Sequence, residues 1–272
     1  MKRHLSVFEL AARGAVYKTL LVSLTAAAAI FALLCAGLDG IDNLAGVLAD
    51  DVHPDESANG LPGALIANMV YSAGILLLFI LLSRSWAPKK GVNPDYTFRR
   101  LCVSEREAAY IQAGVHALCF VFYMAAALAA YLGFSAYFFS RPAPYGNDGQ
   151  TLLFAAYKSL PLHTLLPLAD WYEWLFAAAT CLVGGVGSVA LSFWKRRACT
   201  SGIGVCSAFA LALTHFLRVS GSELHFVFVF LELALIFGGI FGSLRDNTAE
   251  EREAASAEVL EPHKGGGANA PA

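Results

Sequence analysis

The chain of 272 residues is 57% hydrophobic and only 15% charged, with a mean hydropathy of +0.56. An average soluble domain carries about 25% charged residues, so an ordinary water-soluble globule is excluded and one polytopic membrane domain is the natural count. The net charge of −2 says less than its distribution, and no nucleic-acid partner is expected.

Residues 1–19 carry Leu5, Phe8, Ala12, Ala15 and Val16 at helical spacing, with Arg13 and Lys18 as cations. This pattern predicts an amphipathic helix lying in the inner membrane interface before the chain turns into the bilayer. A merely polar leader is the plainer alternative. Residues 20–245 form the membrane domain, because a hydrocarbon core of about 30 Å needs about 20 apolar residues. Six stretches meet or approach that length: Leu20 to Leu38, Leu61 to Leu82, Tyr110 to Phe139, Tyr172 to Trp194, Gly202 to Leu217 and Leu224 to Leu244. The fifth is the weakest, since Arg218 and nearby Gly, Ser and Thr leave it short. The first is read as an uncleaved span because the apolar run begins near residue 20 and no lipoprotein processing site precedes Cys35.

The first outer loop is acidic, with Asp39, Asp42, Asp50, Asp51, Asp55 and Glu56. The loop from Arg84 to Ala109 is the most patterned segment. Asn93, Pro94 and Asp95 suit an N-cap, a first helical residue and a favourable dipole partner; the short helix they start would present Tyr96, Phe98, Arg99 and Arg100. Ser104 and Glu107 then fit a capping box that opens the third span. Continued from Glu105 to Phe139, that helix is about 50 Å long at about 1.5 Å per residue, so its first turns stand clear of the hydrocarbon. Together these elements form a cytoplasmic docking surface or, alternatively, a basic loop held on anionic lipid heads. Between the third and fourth spans, a Pro/Gly-rich turn precedes an apolar stretch, and the proline-broken 160–168 segment either dips into the outer leaflet or lids the bundle. Trp171, Tyr172 and Trp174 resemble an aromatic belt. Residues 246–272 are expected to form a disordered cytoplasmic tail.

Placing the amino terminus inside puts 16 of the 19 Lys and Arg residues on the cytoplasmic side, leaving Arg141, Lys158 and Arg218 outside. That is the positive-inside pattern of six spans with both termini cytoplasmic. The fold class is therefore all-α, a multi-pass protein of the cell (plasma) membrane.

Chemistry-bearing residues inside the spans are few. Glu232 lies deep in the sixth, where an ionised carboxylate costs roughly 2.5–3.5 kcal/mol on the scale measured for aspartate, so it should be neutral, paired or in a wet cavity. Asn68, His116, Thr180, His215 and His225 are its polar candidates. An interhelical hydrogen bond, a proton or substrate path, and catalysis or metal binding are its three readings, in that order. The histidines sit at different predicted depths, and no HExxH, GxSxG or Walker phosphate loop occurs. The six cysteines show no CxxC or outer-loop pairing, so no metal, cofactor or disulfide framework is expected. Gly184 with Ser188 and Gly238 with Gly242 form small-xxx-small pairs for close helix packing, which serves internal packing or a homo- or hetero-oligomer equally.

Two segments carry a resemblance: Tyr96-Thr97-Phe98-Arg99-Arg100-Leu101-Cys102-Val103-Ser104-Glu105-Arg106, and Phe154-Ala155-Ala156-Tyr157 with Leu162-His163-Thr164-Leu165-Leu166-Pro167-Leu168. They resemble a six-span family of Gram-positive bacteria associated with ABC exporters, and the layout is similar to the membrane domain of type-2 ABC exporters. The resemblance implies that Tyr96, Phe98, Arg99 and Arg100 contact a separate ABC ATPase. One difference is the elaborate outer loop between spans three and four, where those exporters place a broken element between five and six. The expected function is a membrane subunit or partner of an ABC-type export system, surrounded by membrane lipid and lacking catalytic activity of its own. The alternatives are an intramembrane enzyme using Glu232 and a histidine, or a structural or regulatory membrane protein.

Overall fold

A computed structural model describes residues 2–36, 63–85, 105–140, 165, 171–197, 202–216 and 222–243. These form six helices: α1 Lys2–Ala36, α2 Gly63–Ser83, α3 Glu105–Phe139, α4 Trp171–Arg197, α5 Ile203–Phe216 and α6 Ser222–Gly238. A π turn, Gly239–Ser243, continues α6. No strand occurs among the described residues. Four stretches are long and apolar enough to cross a membrane: Leu5–Ala36, Ile66–Ser83, Glu107–Phe139 and Trp174–Ser192. Ile203–His215 and Val227–Phe241 are apolar but shorter.

Side-chain contacts fix the direction of each helix. Along α1 and α3, a groove joins Phe8 through Leu20 to Val115 through Phe122, and further on Phe31 meets the rings of Phe134 and Tyr137, so the two helices run parallel. Tyr71 near the start of α2 meets Tyr123 of α3, whereas Leu81 at its end meets Lys18, at the lower level of Thr19 and Cys119, so α2 runs the other way. On α3 and α4, His116 meets Ser188 and Met124 meets Cys181, the antiparallel order. On α4 and α5, Leu191 lies against Gly204 and Phe176 against His215, again antiparallel. Thr180 meets Glu232 and Val186 meets Gly239, so α4 and α6 are parallel. Successive helices therefore alternate, and the start of α1 and the end of α6 share one end of the bundle. We call it the lower end.

The segment 1–19 differs from its expected form. Instead of an interfacial helix that turns, α1 continues without a break from Lys2 to Ala36. The reason is a buried stripe: Val7, Ala11, Ala15, Val22, Ala26, Ile30 and Leu34 are all packed in one core, at the three- and four-residue steps that keep one helix face inward. The stripe passes residue 19 unaltered, with no proline in α1 to break the helix and Gly14 taken up within it. Small residues dominate its lower part, which lets α1 lie close to its neighbours.

At 35 residues each, α1 and α3 are about 50 Å long at about 1.5 Å per residue. The 21-residue α2 ends at the level of Lys18, whose ammonium donates to Leu81 O at 3.0 Å and Ser85 Oγ at 3.0 Å. A cation there satisfies carbonyl groups that the end of a helix leaves open and faces the negative pole of its dipole. Below that level α1 and α3 extend as a parallel pair, with α4 still packed on α3 through Val189 and Ala109. The helix opened by Glu105 thus starts where the capping pattern places it, although Ser104 lies outside the described residues.

Candidate functional site: polar groups inside the helix bundle

The core of α4 is the place where buried polar side chains from other helices meet. It contacts α2, α3, α5 and α6, and its alanine, glycine and serine content permits close approach on several sides. At Gly185 the approach involves backbone. A β-carbon there would stand 2.6 Å from Ala113 O and 2.9 Å from Ala117 N, so only glycine fits. Gly204 of α5 does the same against α4, where a β-carbon would meet Leu191 N at 2.6 Å.

The small-residue pairs expected from the sequence are distributed differently. Gly184 does lie in a tight contact, under the ring of Phe120, but the backbone approach belongs to Gly185. Ser188 contributes a hydrogen bond. In α6 the close contact with Val186 falls on Gly239, whereas a β-carbon on Gly238 would meet only Ile203 Cδ1 at 3.9 Å. Gly242 lies in the π turn. One residue of displacement is a rotation of about 100° around a helix, enough to move a contact to another neighbour.

At the lower level, His116 is fully buried between α3 and α4. Its Nδ1 lies 2.8 Å from Ser188 Oγ and its Nε2 lies 3.4 Å from Gln112 Nε2. Ser188 Oγ donates its single proton to Gly185 O at 2.9 Å, so it accepts from His116 Nδ1–H. That leaves Nε2 as an acceptor for the Gln112 amide, and the assignment follows from the donor inventory of each group. The chain Gln112, His116, Ser188, Gly185 is thus a consistently oriented line of donors across the α3–α4 seam.

Nearer the middle, Thr180 Oγ1 donates to Glu232 at 3.2 Å to Oε1 and 3.3 Å to Oε2, and both residues are fully buried. One hydroxyl serves both carboxyl oxygens, far fewer donors than an ionised carboxylate can accept. The contact is suited to holding α6 against α4. At the upper level, the His215 ring packs edge-on to Tyr71 and tilted to Phe176, while its backbone carbonyl accepts from Ser72 Oγ at 3.1 Å. Tyr123 stacks on Tyr71 and donates to Tyr71 O at 2.8 Å. Asn68 is half-buried, and its backbone carbonyl accepts from Ser72 Oγ.

The structure therefore sets Glu232 of α6, His116 of α3 and His215 of α5 against one hub helix, α4, but at three levels. Thr180 and Ser188 are eight residues apart, about 12 Å along α4. His225 falls within α6, but its side chain lies outside the described residues. So do Tyr96, Phe98, Arg99 and Arg100, the 160–168 segment other than Leu165, and the 246–272 tail. Sequence reading missed the Ser188 and Gln112 partners of His116 and the backbone contacts at Gly185 and Gly204. Only the serine and glycine content of α4 hinted at them. No family model, curated protein or solved structure matches the chain.

Proposed function

We propose that the chain is a six-span membrane subunit, or close partner, of an ABC-type export system whose ATPase is a separate protein. The supporting observation is the parallel pair α1 and α3, which passes the end of α2 and, with the last turns of α4 packed on α3 through Val189 and Ala109, forms a stem at the lower end of the bundle. The segment holding Tyr96, Phe98, Arg99 and Arg100 joins the foot of that stem at Glu105. That segment combines aromatic and arginine side chains, the residue types that dominate interface hot spots. On this reading α5 and α6 also span, both termini are cytoplasmic and the protein resides in the plasma membrane.

The intramembrane-enzyme reading has less support. Its acid and histidines occupy separate levels, whereas acid–base chemistry needs its groups within hydrogen-bond reach of one substrate atom. Co-expression with candidate ATPases and purification in mild detergent tests the exporter reading. We expect an ATPase to co-purify, and Arg99→Glu with Arg100→Glu, or Tyr96→Ala with Phe98→Ala, to release it from a bundle that stays monodisperse. Failure of every candidate ATPase to co-purify with the unaltered chain removes the main support for this function. Topology is tested separately in a cysteine-free background. Labelling of a cysteine at position 254 by an impermeant outside reagent, or protection of one at position 54, rejects the six-span arrangement.

A further inference from the structure

The lower half of the α1–α3 seam holds a groove of about 280 Å³. Ala12, Val16 and Leu20 of α1 face Val115, Leu118 and Phe122 of α3 across it. Over the twelve steps from Phe8 to Leu20 the groove is about 18 Å long at about 1.5 Å per residue. Thr19 also lines it, but its hydroxyl donates to Ala15 O of its own helix at 3.0 Å. The walls therefore favour an occupant that makes no hydrogen bonds there, namely a hydrocarbon chain.

The rim adds a charge pattern. Glu9 and Arg13 lie beside Val16 and Leu20 within about 60° around α1. Arg13 Nη2 donates to Glu9 Oε1 at 2.7 Å, with both side chains largely exposed. A guanidinium has five N–H donors, and this bond uses one. Arg13 is the member nearer the apolar stretch, and Glu9 is one turn farther out. A phosphoethanolamine headgroup has the complementary order, with its phosphate next to the glycerol and hydrocarbon and its ammonium beyond.

We propose that the α1–α3 groove is a binding site for phosphatidylethanolamine, with one acyl chain between Val16, Leu20, Leu118 and Phe122, the phosphate on Arg13 and the ammonium on Glu9. This rests on the membrane reading of the chain. It does not require the ATPase. The lower end of the seam then lies at headgroup level, and the bound lipid fills a gap that direct helix packing leaves.

Fluorescence quenching by lipids brominated on their acyl chains provides the test. The four native tryptophans, Trp86, Trp171, Trp174 and Trp194, are replaced by Phe. One reporter is then placed in the groove by Phe122→Trp or, as a control for bulk lipid contact, on the exposed opposite side of α1 by Leu21→Trp. In phosphatidylcholine vesicles, brominated phosphatidylethanolamine is expected to bind the groove about two- to fivefold more strongly than brominated phosphatidylcholine, the scale of exposed ionic contacts. The control reporter should show no preference, and Glu9→Gln with Arg13→Gln should abolish it in the groove. Equal binding at both reporters overturns the site. A chain that fails to enter vesicles at all overturns the membrane reading instead. Should the tryptophan replacements prevent folding, native mass spectrometry of the wild-type chain and Ala12→Leu, which fills the groove, replaces them. Retention of one phosphatidylethanolamine by the wild type and its loss from monodisperse Ala12→Leu supports the site, whereas equal retention or none overturns it.

Discussion

Two seams of α4 join it to its neighbours by different physics. Towards α3 the backbones nearly touch at Gly185, Phe120 covers Gly184, and the line from Gln112 through His116 to Ser188 crosses the contact. Towards α6 the buried stripe is narrow, made by Glu232, Ile236 and Gly239, while Val227, Phe230, Phe237 and Phe241 remain exposed. In a bilayer, apolar side chains gain little by leaving lipid for protein, so association depends on close van der Waals packing and interhelical hydrogen bonds. The α3 seam uses both over several turns. The α6 seam depends on one hydroxyl–carboxyl contact and one glycine approach, so the two should respond to mutation very differently.

The largest expected effect is at Gly185. Gly185→Leu must drive α3 away from α4, because the obstructing atoms are backbone, and we expect a loss of about 3 kcal/mol or more. Reversible unfolding in mixed micelles measures it, and a shift below about 1 kcal/mol would show that the seam yields readily. Next is His116→Ala, which removes the centre of the polar line and leaves the buried Gln112 amide without that acceptor. A cost of about 1–3 kcal/mol is expected, with His116→Asn losing less if its shorter amide still reaches Ser188. An unchanged midpoint for His116→Ala would mean that the line contributes nothing to the α3 seam.

The smallest effect is expected at Glu232. Glu232→Gln keeps an oxygen for the Thr180 hydroxyl, so folding should change by less than about 0.5 kcal/mol, whereas Glu232→Leu should lose about 0.6–1.7 kcal/mol, the range of hydrogen bonds between membrane helices. Export assays run beside the stability measurement separate structure from chemistry. Full function in a normally folded Glu232→Gln protein removes the proton-path and catalytic readings. Normal folding with lost function shows instead that the acid itself is used, making the weaker seam the working one.

The extent of the helices was largely legible in the sequence because apolar run length and terminal residues are local. Tyr172 to Trp194 anticipates α4, Leu61 to Leu82 anticipates α2, and the Ser104–Glu107 pattern places the start of α3. The amphipathic pattern at the amino terminus was legible too, but not its consequence. The same spacing of Leu5, Phe8 and Ala12 fits a separate helix or the first turns of a longer one, and α1 is unbroken, its stripe from Val7 to Leu34 buried in one core. His116 and Glu232 stood out as polar groups in apolar surroundings, and Thr180 was among the candidates for Glu232, whereas the Ser188 and Gln112 partners of His116 did not stand out.

The sequence by itself determined an all-helical chain with membrane-length apolar stretches, since a backbone amid apolar side chains must satisfy its own hydrogen bonds and a helix does so locally. Tertiary structure alone decided which faces meet: that Gly185 rather than Gly184 admits the neighbouring backbone, that Ser188 orients His116, and that Thr180 receives Glu232. These choices depend on the rotation of each helix about its axis, and that angle is set by the summed fit of side chains from distant parts of the chain.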